Sequence, residues 1–435
     1  MIRHDTPSEV ASSLARHAPR RIRALLDPAV GGGNLIAPIL ARLKRQHSRV
    51  FCVDSDRETV REVAERFRDS LPIGTSFVHS DFLTWSASAD TPSFDCIVMN
   101  PPFAATKSKF RCLEPGARLG GISQTVHYMP LEAAFVCRAL DLLEAGGRLL
   151  AILPCSIVMS ESLQWLRDEL LARGAIRFVH ELPPRTFPAV ESRMYLMVFD
   201  KGRRQRRIAL LNHDLHEPER LKIGSTIGTV ARLDFGHANA SLSIDQLQRF
   251  DYLKLTPLSS VARVIRGDIN SPLGARCAVH TTDFRDGFWR ALGRHDPSVV
   301  RSEERTLKRG DILISRVGRN AHLSCSIGIR LTGMACSDCT LIVRPSRFDQ
   351  RWKILFALRI VLSQKWIKPL LMRGTGASYI SHRSLLELPI PMGACEKYPL
   401  EFASFLDGVR ARSSLRVNCA IQAVSQQVEN LLPSG

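Results

Sequence analysis

The chain has 435 residues, 45% of them hydrophobic, too long for one typical core and ample for two. No apolar run approaches the ~18 residues that span a bilayer, and no apolar segment follows the charges of the amino terminus. A membrane span and a secretory signal are therefore excluded as expectations, and the location is read as cytoplasmic. Sixty basic against 42 acidic residues give a net charge of +18. The excess is uneven: residues 1–255 hold 34 basic and 28 acidic residues, and residues 256–435 hold 26 and 14. A basic second half attracts a polyanion, most commonly nucleic acid. The eleven cysteines are scattered. Cys336-x-x-Cys339 lacks a second ligand pair at zinc spacing, so reduced thiols and no metal are expected.

The first half alternates. A strand at 21–30 runs into Gly31-Gly32-Gly33 and a helix at 34–46; a strand at 49–56 leads to a helix at 57–71. Strands follow at 75–83 and 94–100, then a helix at 131–147 with Leu131, Ala134, Phe135, Ala139, Leu142 and Leu143 on one face. A strand at 147–154, a helix at 161–174 and two strands at 175–183 and 193–202 close the series. Alternation of this kind implies an α/β fold with a mainly parallel sheet, and the last two strands, lacking a helix between them, should include an antiparallel one. Residues 1–205 form this first domain, 206–255 a connector holding one short strand, and 256–435 a mixed α+β domain. The second domain has short strands, a helix at 351–371 and a long C-terminal helix from about Pro399, with Ile421, Val424, Val428 and Leu431 at coiled-coil-like spacing.

Ligands of such sheets bind at the carboxyl ends of strands. Four successive strand ends here carry unusual residues. Asp27-Pro28 precedes the three glycines, which let the backbone approach a ligand. Asp54 offers a carboxylate to ribose hydroxyls, and Asp81-Phe82 an acceptor for an adenine amino group beside an aromatic wall. The fourth strand ends on Asn100-Pro101-Pro102-Phe103: an amide, a rigid turn and an aromatic. Each is weak alone, since a glycine-rich turn also suits NAD or FAD.

In this order the set resembles the S-adenosylmethionine-dependent amino methyltransferases with a Rossmann-like fold, and most of all the gamma-class adenine-N6 DNA methyltransferases. The resemblance covers Asp27 to Gly33, Asp54, Asp81-Phe82 and Asn100 to Phe103, and adds Thr6-Pro7 ahead of a helix. It implies a cofactor site at Thr6, Asp27, Pro28, Gly31, Gly33, Asp54, Asp81 and Phe82, with S-adenosylmethionine as cofactor. Gly32 departs from the Ser or Thr more usual in the family, and Asp54 from Glu. Thr6 also reads as a helix N-cap, with Glu9 completing a capping box. An exocyclic amino nitrogen is a poor nucleophile because its lone pair is delocalised. Acceptors from the Asn100 side chain and the Pro101 carbonyl, held by Pro102, would favour a tetrahedral nitrogen, with Phe103 stacking on a flipped base. Phe187 is read either as a second aromatic against the base or as a core residue.

This motif fixes an amino acceptor, not its carrier, for ribosomal RNA and release-factor methyltransferases use similar ones. The second half resembles the target-recognition domains of type I restriction specificity subunits at Val261–Gly267, Gly310–Gly318 and Ile380–Pro391. It implies double-stranded DNA as partner, with Arg316, Arg319 and Arg373 as candidate contacts. The expectation is a site-specific adenine-N6 DNA methyltransferase, the modification component of a restriction-modification system. A separate restriction endonuclease would do any cutting, and a second subunit could pair through the C-terminal helix. An RNA amino methyltransferase and a non-catalytic DNA-binding specificity protein are the alternatives.

Overall fold

The structure, a computed structural model, describes residues 5–43, 48–68, 74–102, 110–113, 126–188, 190, 192–267, 278–285, 288–289, 303–317, 325–327, 332–373 and 379–432. The chain divides into two compact units, Met1–Ala238 and Asn239–Gly435.

In the first unit the expected alternation is present: α1 (Ser8–Ala15), β1 (Ala24–Asp27), α2 (Ala37–Leu43), β2 (Arg49–Asp54), α3 (Arg57–Phe67), β3 (Thr75–His79), α4 (Phe82–Trp85) and β4 (Phe94–Met99). A hairpin of β5 (Phe110–Leu113) and β6 (Val126–Met129) precedes α5 (Leu131–Leu142), β7 (Leu143–Pro154), α6 (Cys155–Met159) and α7 (Gln164–Arg173). Then come β8 (Gly174–Glu181), β9 (Met194–Lys201), β10 (Arg207–Leu211) and β11 (Arg220–Gly224). Nine strands form one sheet in the order β11-β10-β8-β9-β7-β4-β1-β2-β3. As expected for strands joined without a helix, β9 runs antiparallel between β7 and β8.

Both faces of the sheet are covered, so its strands read as nearly continuous apolar runs. Successive residues go to opposite faces: Leu26, Ile97 and Leu149 pack with α4, α5, α6 and α7, whereas Leu25, Val98 and Leu150 pack with α1, α2 and α3. Residues 206–255, expected as a connector, are otherwise. They add β10, parallel to β8, and β11, antiparallel to β10, and then the helix Phe235–Leu247. The sequence signal there was weak because β11 is an edge strand, alternating exposed Arg220 and Lys222 with half-buried Leu221 and Ile223.

The second unit holds a four-stranded antiparallel sheet, ordered Ala262–Arg266, Thr340–Pro345, Ile312–Ser315, Cys325–Ile327. Its helix Arg351–Ser363 is buried almost throughout and stops short of the expected 371: Gln364 is extended, with ψ 131°, and Pro369 stands in the first turn of a separate short helix, Lys368–Leu371. The long terminal helix is a helical pair, Pro399–Arg410 and Ser414–Glu429. Arg412 turns the chain with φ +53°, and the Ser413 side chain accepts from the Arg416 N–H to start the second helix. Gly408 lets the two helices close, since a Cβ there would lie 2.9 Å from the Val417 nitrogen. The apolar stripe Val417, Ile421, Val424 and Val428 is buried in this unit's own core, with Arg359 bonded to Asn418 across the helix contact. No helix among the described residues is long and apolar enough to cross a membrane.

Candidate active site

The strand order sets a linear array. In the run β4-β1-β2-β3 the register pairs Leu26 with Ile97, Asp27 with Cys52 and Asp54 with His79, so the four carboxyl ends emerge side by side. Three inter-strand gaps separate Asn100 from Asp81, roughly 14 Å. A cavity of about 550 Å³ follows this edge, within the range of small-ligand pockets. Of the residues singled out in the sequence, Thr6, Pro28, Gly31, Asp54, Asp81, Phe82, Asn100, Pro101 and Pro102 line it.

The glycine turn is tied on two sides. Asp54 Oδ2 accepts from the Gly31 N–H at 3.0 Å, and Oδ1 accepts from the Asp56 N–H at 3.0 Å. The Arg66 guanidinium donates to the Gly32 carbonyl, and to Asn34 at 2.7 Å. Gly31 and Gly33 have φ of +50° and +76°, and a Cβ on Gly33 would sit 2.5 Å from the Phe67 ring. Only glycine fits Gly33 on both counts. Asp27 does not line the cavity but lies beneath it, fully buried. One oxygen accepts from the Ala29 N–H, the other has no partner among the described residues, and burial, with a smaller contribution from Asp54, pushes its pKa up to about 7.

At the far end of the array Asp81 caps α4, its Oδ1 accepting from the Thr84 N–H at 2.8 Å and hydroxyl at 2.9 Å. Phe82 packs on Phe135 with ring centroids 4.8 Å apart. Phe135 and Leu131 of α5 also line the cavity, as do Asp5, Asp56 and Thr59. These five were not anticipated. Leu131 and Phe135 carried only the signal of a core face, and they serve both as core and as wall.

At the near end, Asn100 Nδ2 donates to the Thr6 hydroxyl at 3.2 Å, across 94 residues of sequence. Asn100 Oδ1 is buried with no hydrogen-bond partner among the described residues. Thr6 is not the N-cap of α1: that position is Pro7, no side chain caps the helix, and Glu9 faces His216 instead. The Thr6 hydroxyl is drawn to the Asn100 amide. Since buried acceptors are nearly always satisfied, the open Oδ1 marks where an N–H from a bound molecule would be received.

Phe187 is 3% exposed in the core on the α1 face and does not line the cavity, so its ring is a packing element. Phe103 and Arg319 lie outside the described residues. In the second unit, Arg316 donates to the Asp338 carbonyl at 3.1 Å and covers the Tyr379 ring at 4.8 Å. Arg373 pairs with Tyr379 in a short antiparallel ladder and donates to the carbonyls of Leu370 and Met372.

Against known proteins, the family model described as N-6 DNA methylase matches residues 4–222. The type II methyltransferase M.BsuBI of Bacillus subtilis is 29% identical over 174 residues, 36% of this chain and 33% of that enzyme. The chain thus aligns with about a third of that relative's length. Among solved structures, the type IIL restriction-modification enzyme MmeI in complex with DNA is similar in fold, with TM-score 0.54, 14% identity, and 94% of this chain and 70% of that one covered. The type IIG restriction endonuclease BpuSI covers 98% of this chain and 64% of its own, with TM-score 0.47 and 13% identity.

Proposed function

The chain belongs to the N-6 DNA methylase family, and from that premise we propose that it transfers a methyl group from S-adenosylmethionine to the exocyclic amino group of an adenine in duplex DNA. The observation that carries this reading is the buried, unpartnered Oδ1 of Asn100 beside the Thr6 hydroxyl.

The residues present fit the cofactor. An array of roughly 14 Å, with an aromatic pair at one end and an open acceptor at the other, suits a nucleoside carrying an amino-acid tail. Asp81 and Phe82 would hold the adenine end, Asp54 the ribose, and Thr6 with the Gly31 turn the methionine end. Bound there, the cofactor supplies an electrophilic methyl group on a sulfonium. Asn100 Oδ1 accepts one N–H of the substrate's amino group, and the Pro101 carbonyl takes the other. With both hydrogens drawn away from the ring plane, the nitrogen lone pair would be free to face that methyl group, and the amino group would give up one proton to water on accepting it. The gain comes from fixed dipoles and positioning, so no strong base is required.

The second unit would read the DNA sequence, with Arg316 and Arg373 around Tyr379 as candidate contacts to phosphates or base edges. In a restriction-modification system the protein would be the cytoplasmic modification component, working beside an endonuclease. The decisive experiment is modified-base sequencing of genomic DNA from cells expressing the protein, with Asn100→Ala alongside. N6-methyladenine at one motif, absent in the variant, is the expected outcome. Purified protein that binds cofactor yet leaves no modified adenine would sink the DNA reading.

A further inference from the structure

The first unit has a second cavity, of about 690 Å³, away from the strand-end array. It lies on the α1 face of the sheet, over Val198 of β9, Phe178 of β8 and Ala209 of β10, with residues 16–20 behind α1 forming one wall. Seven arginines and one lysine line it, and no carboxylate does among its described lining residues. Chance placement of surface charge rarely yields eight cations and no anion in one concavity.

The local fold shows how they are assembled. Arg148 at the floor is fixed by Asp200, with Nε and Nη2 on its two oxygens at 2.6 and 3.0 Å, and by the His17 carbonyl at 2.7 Å. A register shift between Ile176 and Phe178 makes Arg177 the extra residue of a bulge, and its guanidinium reaches Asp200 at 3.2 Å. Asp200 is 2% exposed and engaged by these two, with Arg203 a further 3.8 Å contact. At the rim, alternation along β11 turns Arg220 and Lys222 away from the core, and Arg207 starts β10 beside them. Arg207, Arg220 and Lys222 have no ion-pair partner among the described residues. Burial and then the charges of Arg16, Arg148 and Arg177 hold the His17 pKa down at about 4.

We propose that this cavity is a second nucleic-acid contact on the first unit, taking phosphates of a sugar-phosphate backbone. Guanidinium groups suit phosphate oxygens, two of them are pre-positioned by Asp200, and a concave wall of one sign concentrates the field on an anion. Backbone is favoured over a free nucleotide because the unpaired cations form a row along an open strand edge rather than a closed pocket. Helix α1 relates the two cavities: Asp5 and Thr6 before it line the catalytic one, Arg16 and His17 after it line the basic one. At 1.5 Å per residue, Thr6 and Arg16 stand roughly 15 Å apart, within reach of one strand flanking a target base. The proposal rests on the DNA reading above.

The test is fluorescence anisotropy of a short labelled DNA duplex titrated with the full chain over a series of salt concentrations, with ATP as a second probe. The rim variant Arg207→Gln/Arg220→Gln/Lys222→Gln changes exposed side chains only, and thermal unfolding with cofactor binding verifies its fold. We expect at least tenfold weaker duplex binding at low salt and a salt slope shallower by roughly 0.9 for each phosphate that is no longer neutralised. Wild-type affinity and slope in the folded variant would overturn the proposal. So would tight ATP binding that the variant loses while its duplex binding stays intact, for the cavity would then be a nucleotide site. Asn100→Ala in the same titration should keep the wild-type slope, so a failure of methyl transfer and a failure of this phosphate site are read separately.

Discussion

Thr6 and Asn100, 94 residues apart in sequence, meet through a 3.2 Å hydrogen bond in which the amide donates and the hydroxyl accepts. With the amide nitrogen turned to Thr6, the amide presents its oxygen elsewhere, and that oxygen is buried with no partner among the described residues. Thr6 is therefore a positioning residue for Asn100. Thr6→Val should lower kcat about five- to tenfold, the equivalent of one hydrogen bond of about 1 kcal/mol. Thr6→Ser should restore it. A rise in KM for cofactor at unchanged kcat would instead assign Thr6 to cofactor binding alone.

Gly33→Ala meets two penalties at once, a φ of +76° and a Cβ 2.5 Å from the Phe67 ring. Unfolding free energy should fall by about 2–3 kcal/mol, and cofactor affinity should fall with it. Gly31→Ala, at φ +50° with open space around it, should cost about 1 kcal/mol. Denaturant unfolding of both variants checks the difference, and adding Phe67→Leu should recover part of the Gly33→Ala loss only.

Asp27 is held at a pKa of about 7 by burial, against 3.8 for the unconstrained side chain. Between those values the folded protein binds the proton more tightly than the unfolded chain does, so this group's contribution to stability falls as pH rises through the window. The opposition is complete above about pH 7. Asp27→Asn should accordingly gain in Tm over wild type progressively from pH 5 to 8. A Tm difference independent of pH would show that the carboxyl is not protonated in the fold.

In the second unit, Asp311 accepts two bonds from Arg344, at 2.9 and 2.8 Å, and one from the Lys308 N–H, while Arg344 also holds the carbonyls of Glu304 and Thr306. Asp311 is 2% exposed. Arg344→Ala would strand that carboxylate and cost about 3–5 kcal/mol. Circular dichroism during urea unfolding should show it; a variant as stable as wild type would mean that the pair adds nothing.

These pairings bear on how much was legible. Gly310-Asp311 reads in the sequence as a tight turn into a buried strand, and it is one: Gly310 has φ +96°, Ile312–Ser315 is buried throughout, and Asp311 anchors the turn internally. The grouping of Pro28, Gly31, Asp54, Asp81, Phe82 and Asn100 to Pro102 around one cavity was legible because each residue type is unusual for a strand end and their chain order mirrors the sheet. The Thr6–Asn100 bond was not, since spatial pairing over 94 residues leaves no local pattern. Phe187 could not be assigned because an aromatic ring buries equally well in a core and against a base. The split in the terminal helices was hidden because no glycine or proline stands at the break: Arg412 takes the left-handed turn, and Ser413 caps the second helix. The basic cavity draws on several strands and a loop, so its arginines look dispersed along the chain.

The array at the four strand ends has one further consequence, for tolerance to sequence drift. Its spacing is set by main-chain hydrogen bonds between β4, β1, β2 and β3, which any apolar side chain permits. Core residues such as Leu25, Val50 and Ile97 can be exchanged for others of similar volume without moving Asn100 relative to Asp81. Lengthening one strand by a residue would displace its terminal group by about 3.3 Å and turn it to the opposite face. The site should therefore survive many substitutions and few insertions.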